Sequence, residues 1–192
     1  MKTLILLLVS SAIVNNVVLS QFLGLCPFLG VSKKTETAMG MGGAVIFVVT
    51  LSSLVTGCIY TFLLKPMGLD YLNTIVFILV IAALVQFVEM VLKKYMQGLY
   101  KALGVYLPLI TTNCCVLGTA LNIVKYDYNI GTGVVYGFGI SLGFAIAITI
   151  MAGIREKIVD NDIPYAFQGT ASVVFTAGLM AIAFMGFSGI IR

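Results

Sequence analysis

Six apolar stretches, each long enough to cross a bilayer, leave this chain very few folds to choose from. A spanning helix takes about 20 mostly apolar residues. Leu4 to Leu25, Ala38 to Leu64, Tyr71 to Leu92, Leu103 to Val124, Gly133 to Ile154 and Gly169 to Ile191 all meet that requirement. The joints between them are short and polar, and none could hold a soluble domain. The sequence therefore predicts an all-α integral membrane protein, a single membrane domain over residues 1–192 with six transmembrane helices. A mean hydropathy of +1.12 with only 9% charged residues fits no soluble domain. The opening MKTLILLLVSSAIV has the features of a signal peptide, but no A-x-A-like cleavage site follows and the apolar character runs on to Phe22, so it reads as the first spanning helix.

Charge sets the orientation. The first, third and fifth joints carry seven of the 11 basic residues (Lys33, Lys34, Lys93, Lys94, Lys101, Arg155, Lys157), against Lys2, Lys65, Lys125 and Arg192 on the other side. The positive-inside rule places those three joints in the cytoplasm and both chain ends outside. Basic residues spread over short joints make no face for nucleic acid. Tryptophan is absent, so tyrosines such as Tyr60, Tyr71, Tyr95, Tyr100, Tyr126 and Tyr128, near the span ends, must supply the interfacial belt. Histidine is absent too, which removes the usual haem ligand and the commonest general base near neutral pH.

Three spans precede the middle of the third joint and three follow it, so the halves, about 1–96 and 97–192, enter the membrane in opposite senses. Each half carries Cys-x-x-Leu-Gly in its first span, at Cys26 to Gly30 and Cys114 to Gly118, 88 residues apart. This is the pattern of an inverted repeat, in which equivalent segments approach each other from opposite faces. Gly24, Pro27 and Gly30 around the first motif, and Pro108 and Gly118 around the second, predict that the first helix of each repeat is broken there. Broken backbone in a membrane is tolerated where it is buried in protein or lines a cavity. Glycines in the second and fifth spans (Gly40, Gly42, Gly43; Gly137, Gly139, Gly143) predict close helix packing.

The chemistry-bearing residues are few. Four cysteines, Cys26, Cys58, Cys114 and Cys115, sit in apolar segments without Cys-x-x-Cys spacing, which does not describe a disulfide framework. Cys26 and Cys114 occupy equivalent places and stand either as thiol ligands or as small buried residues. Cys58 has no flanking breaker, and Cys115 points about 100 degrees away from its neighbour on a helix. Two thiolates complete neither a tetrahedral site nor an iron–sulfur cluster, so any such site needs ligands from elsewhere. Glu89 follows a long apolar run, and an intramembrane acid is an ion-path candidate. Its plain alternative is an interfacial carboxylate near Lys93 and Lys94. Asn15, Asn16, Gln86 and Asn113 are polar residues within spans, able to bond neighbouring helices or line a cavity.

The runs FLGLCPFLGVSKK, LGVYLPLITTNC, VVYGFG, AGIREK and TAGLMAIAFMGFSG resemble membrane subunits of the Rnf electron-transport complex and, more distantly, of the sodium-pumping NADH:quinone reductase. The resemblance covers nearly the whole chain. It implies a bacterial or archaeal cytoplasmic-membrane protein, non-catalytic alone, that pairs within a larger complex with a homologous inverted subunit, the E-type member of the Rnf set. It further implies a [2Fe-2S] cluster to which each partner gives two cysteines, here Cys26 and Cys114. That cluster relays electrons between a cytoplasmic ferredoxin and NAD side and flavins beyond, coupled to export of sodium ions or protons. Flavin and NAD sites would lie on other subunits, since no nucleotide-binding motif is present. A small secondary transporter, or a structural anchor with inert cysteines, are the competing readings.

Overall fold

The computed structural model describes residues 2–14, 16–67, 70–95, 109–110, 112–159 and 169–188, and every regular element among them is helical. Asn15, Tyr100, Lys101, Pro108 and most of the fifth joint lie outside the described residues. Among the described residues three helices are long and apolar enough to cross a membrane, Thr35–Leu64, Asn73–Val91 and Ile130–Ile158, and two shorter apolar helices, Cys114–Lys125 and Thr170–Gly186, accompany them.

The first predicted span is not one helix. It begins as α1 (Lys2–Val9), widens into a π-helical turn at Ser10–Val14, restarts as the short α2 (Val17–Ser20) and restarts again as α3 (Leu25–Val31). Asn16 caps the first restart, its side-chain oxygen accepting from the Val18 backbone N–H at 3.1 Å. The Asn16 amide nitrogen then donates to the Gly143 carbonyl at 2.9 Å, tying the interrupted helix to the other half of the chain. The second restart turns on Phe22 and Gly24, which have positive φ of 55° and 86°. The break therefore falls before the first cysteine motif and not within it. Pro27 is the third residue of α3, where its missing N–H is one the helix leaves unbonded anyway.

After the turn at Ser32 come α4 (Thr35–Ile59), continued by a π-helical turn to Leu64, and α5 (Asn73–Tyr95). The second half supplies α6 (Cys114–Lys125), α7 (Ile130–Val159) and α8 (Thr170–Ser188). Helix α7 is the centre of the molecule, packing against α4, α1, the π-helical turn, α2 and α6. Glycine makes that packing close. A Cβ at Gly42 of α4 would stand 3.0 Å from the Ala145 side chain of α7, and one at Gly143 would stand 2.5 Å from the Ala12 carbonyl oxygen. The core between them holds Phe28, Met41, Val45, Val48, Phe144, Ile148 and Met151, all fully buried.

Helices α4 and α7 run antiparallel, as contacts at both ends require. At one end Thr35, the first residue of α4, gives its N–H and hydroxyl to the Glu156 carboxylate late in α7, at 2.8 and 2.7 Å. At the other, Lys65 beyond α4 pairs with Asp127 just before α7 at 3.5 Å. The first and fifth joints thus share one end of the molecule and the second and fourth share the other, as in any chain whose helices alternate in direction.

Candidate thiol site between two helix starts

The two cysteine motifs begin helices that meet. Cys26 is the second residue of α3 and Cys114 the first of α6. The backbone N–H of Gly24, at the start of α3, donates to the Cys114 Sγ at 2.8 Å. Chain segments 90 residues apart are thereby joined through one of the predicted ligands. The other, Cys26, is exposed two residues after Gly24. Cys114 is half-buried, Cys115 fully buried in the core, and Cys58 half-buried near the end of α4.

The junction is held from three sides. Gly24 is buried, and a Cβ there would stand 3.1 Å from the Phe144 ring, 3.2 Å from the Cys115 Cβ and 3.3 Å from the Asn113 Oδ1. Only glycine fits both this space and the φ of 86°. On the second motif Gly118 does not break α6, contrary to the expectation from sequence. It admits Leu23 instead, whose Cδ1 would lie 2.7 Å from a Cβ at that position. One face of α6 is hollowed to receive the turn that precedes Cys26.

The far end of α3 is fastened as well. Arg155 of α7 donates from Nη1 to the Leu29 carbonyl at 3.1 Å and to the Ser32 hydroxyl at 2.8 Å, satisfying a helix-terminal oxygen that would otherwise go unbonded. A helix of seven residues has little stability of its own. Arg155 fastens its end, and the Gly24 N–H bond to Cys114 fastens its beginning. Phe28 and Phe144 are both fully buried, and the Phe144 ring lies against Gly24.

Asn113 caps α6, its Oδ1 accepting from the Cys115 N–H at 3.0 Å. Sequence reading marked it only as polar; its place directly before a cysteine was the available signal. Glu89 is half-buried on α5, one turn before Lys93 on the same helix, and Gln86 is exposed. Both lie on α5, which carries neither motif cysteine. No group of three or more metal-ligating side chains occurs among the described residues. The arrangement can hold half the ligand set of a thiolate-bound metal centre.

Over residues 4–191 the chain matches the protein family described as Rnf-Nqr subunit, membrane protein. It is similar to the A component of the Na(+)-translocating ferredoxin:NAD(+) oxidoreductase complex of Acetobacterium woodii, with 56% identity over 187 residues and 97% of each chain covered. It is similar also to the A components of the ion-translocating oxidoreductase complexes of Colwellia psychrerythraea and Hahella chejuensis, at 51% and 53% identity over the full 192 residues of each chain.

Proposed function

The chain belongs to the Rnf-Nqr family of membrane subunits, and from that premise we propose that it carries electrons across the membrane within an ion-translocating ferredoxin:NAD oxidoreductase complex. In this reading Cys26 and Cys114 are two of the four ligands of a [2Fe-2S] cluster, the other two coming from a homologous subunit of inverted orientation. The observation that carries the reading is the Gly24 N–H bond to the Cys114 Sγ, which puts both motifs at one junction. The cluster, when bound, would supply a one-electron carrier at that junction.

The residues of this chain have three tasks there. Cys26 and Cys114 bind iron, with Cys26 on the exposed side where a partner can complete the set. Gly24 and Arg155 orient the two helix starts. Phe28, Phe144 and Cys115 exclude water from behind. Flavin, NAD and ferredoxin are handled by partner subunits, and electron flow is coupled to sodium or proton export.

The test is made in vesicles bearing the whole complex, by following ferredoxin-dependent NAD reduction and ion uptake together. With Cys114→Ser both should fall to background while the complex stays assembled. An assembled complex with undiminished electron flow would make this chain an anchor with inert cysteines.

Glu89 is the ion-path candidate on this chain. Replacing it by glutamine removes the charge and keeps the shape, so Glu89→Gln is expected to lower ion uptake severalfold more than NAD reduction in the same vesicles. Equal losses, or none, would leave it an interfacial carboxylate. The topology makes a separate prediction. A reporter active only in the cytoplasm should be silent when fused after Arg192 and active when inserted at Lys33-Lys34; the reverse pattern would invert the orientation.

A further inference from the structure

Among the described residues three buried side-chain polar atoms have no hydrogen-bond partner: Ser52 Oγ, Asn73 Oδ1 and Asn113 Nδ2. Of these residues only Asn113 adjoins one of the two motif cysteines, and it is 3% exposed. A buried amide that leaves its donor unbonded carries the desolvation penalty of a lost hydrogen bond, and such a group calls for a reason. The orientation of the amide is not free to relieve it. The Cys115 N–H, at the first turn of α6, needs an acceptor and finds the Asn113 Oδ1 at 3.0 Å. The nitrogen must therefore occupy the other arm of the same planar group. That group lies against the turn before Cys26, since its oxygen would be 3.3 Å from a Cβ on Gly24. Gly24 in turn bonds the Cys114 sulfur. The unbonded N–H donor thus sits where the starts of α3 and α6 meet.

We propose that the Asn113 carboxamide donates a hydrogen bond to a sulfur of the iron–sulfur group held by Cys26 and Cys114, and so sets how readily that group takes up an electron. The inference rests on the electron-relay reading given above. A sulfur bound to iron accepts hydrogen bonds better after one-electron reduction, because the added negative charge is spread partly over the sulfurs. A fixed donor therefore favours the reduced form and raises the reduction potential. Low dielectric strengthens the effect. The electron arrives from and leaves to carriers on partner subunits, and no bond of Asn113 forms or breaks. One side chain then has two tasks, its oxygen capping the helix that presents Cys114 and its nitrogen facing the redox centre.

The experiment separates those tasks in the purified complex. Asn113→Ser keeps an N-cap oxygen but removes the longer donor arm, and Asn113→Asp keeps the size and the cap while replacing the donor by an acceptor. Both variants should retain iron, and a redox titration followed by electron paramagnetic resonance should show reduction disfavoured about tenfold, a shift of about 59 mV to more negative potential for one electron. In deuterated water the wild-type centre should show, besides the deuteron on the Gly24 amide, a second coupled exchangeable deuteron that the aspartate variant loses. Retained iron with an unmoved potential would overturn the Asn113 assignment alone. Loss of iron from both variants would also overturn it, making Asn113 a structural residue of the junction. A wild-type complex whose signal does not depend on Cys26 would bring down the electron-relay reading itself.

Discussion

Cys26→Ser and Cys114→Ser are each expected to remove two irons' worth of one cluster from the purified complex and to reduce ferredoxin-driven NAD reduction to background. The expectation follows from position, not from the presence of a thiol. Cys114 starts α6 with its sulfur bonded by the Gly24 N–H, and Cys26 is exposed two residues beyond that glycine. A serine hydroxyl at either place is a poor substitute for a thiolate, because it stays protonated and is a harder ligand than iron–sulfur chemistry selects. Cys58→Ser and Cys115→Ser serve as comparisons. Cys58 lies far along α4 from its start, and Cys115 is turned into the core. Both should keep the iron, although Cys115→Ser should lower thermal stability, since the smaller side chain leaves a gap at a fully buried position.

Gly24→Ala should be nearly as damaging without touching a ligand. The left-handed backbone alone costs an L-residue about 1–2 kcal/mol. The new methyl would also press on Phe144, Cys115 and Asn113 at 3.1 to 3.3 Å, and each of the three is buried with little room to yield. The Gly24 N–H is then displaced from the Cys114 sulfur. Iron content should fall severalfold and the complex should inactivate at a lower temperature. Gly43→Ala makes the contrast, since that glycine is exposed on α4 with nothing within 4 Å of a Cβ. It should leave iron unchanged and stabilise the helix slightly, because alanine is the better helix former.

Helix content was legible in the sequence because each apolar run is long and bounded by charges. The expected second, third, fifth and sixth spans correspond to Thr35–Leu64, Asn73–Tyr95, Ile130–Val159 and Thr170–Ser188, differing by a few residues at the ends. Breaks were legible only in part. Gly24 was a visible signal, but Pro27 drew the expected break downstream, although proline is well tolerated in the first turn of a helix. The interruption at Asn16 went unread because an isolated asparagine in an apolar run has several uses, and only the Gly143 carbonyl from the other half decides among them. Gly118 looked like a breaker for the same reason. Its close contact with Leu23 is made by tertiary packing, which no local spacing encodes. The equivalence of Cys26 and Cys114 could be read from the repeat, whereas the Gly24 bond that joins their motifs could not.

The meeting of the two motifs also explains why a helix as short as α3 is retained. Leu25–Val31 is secured by Arg155 at its end and by Cys114 at its beginning, so its position is set by neighbours and not by its own hydrogen bonds.

The most direct measurement is the electron paramagnetic resonance spectrum of the reduced, purified complex, recorded with iron analysis for the wild type and for Cys26→Ser side by side. Sharing of one [2Fe-2S] centre between this chain and its partner predicts a signal in the wild type that vanishes with Cys26→Ser, together with the iron of that centre and no other. The same signal and the same iron content in both preparations would contradict it.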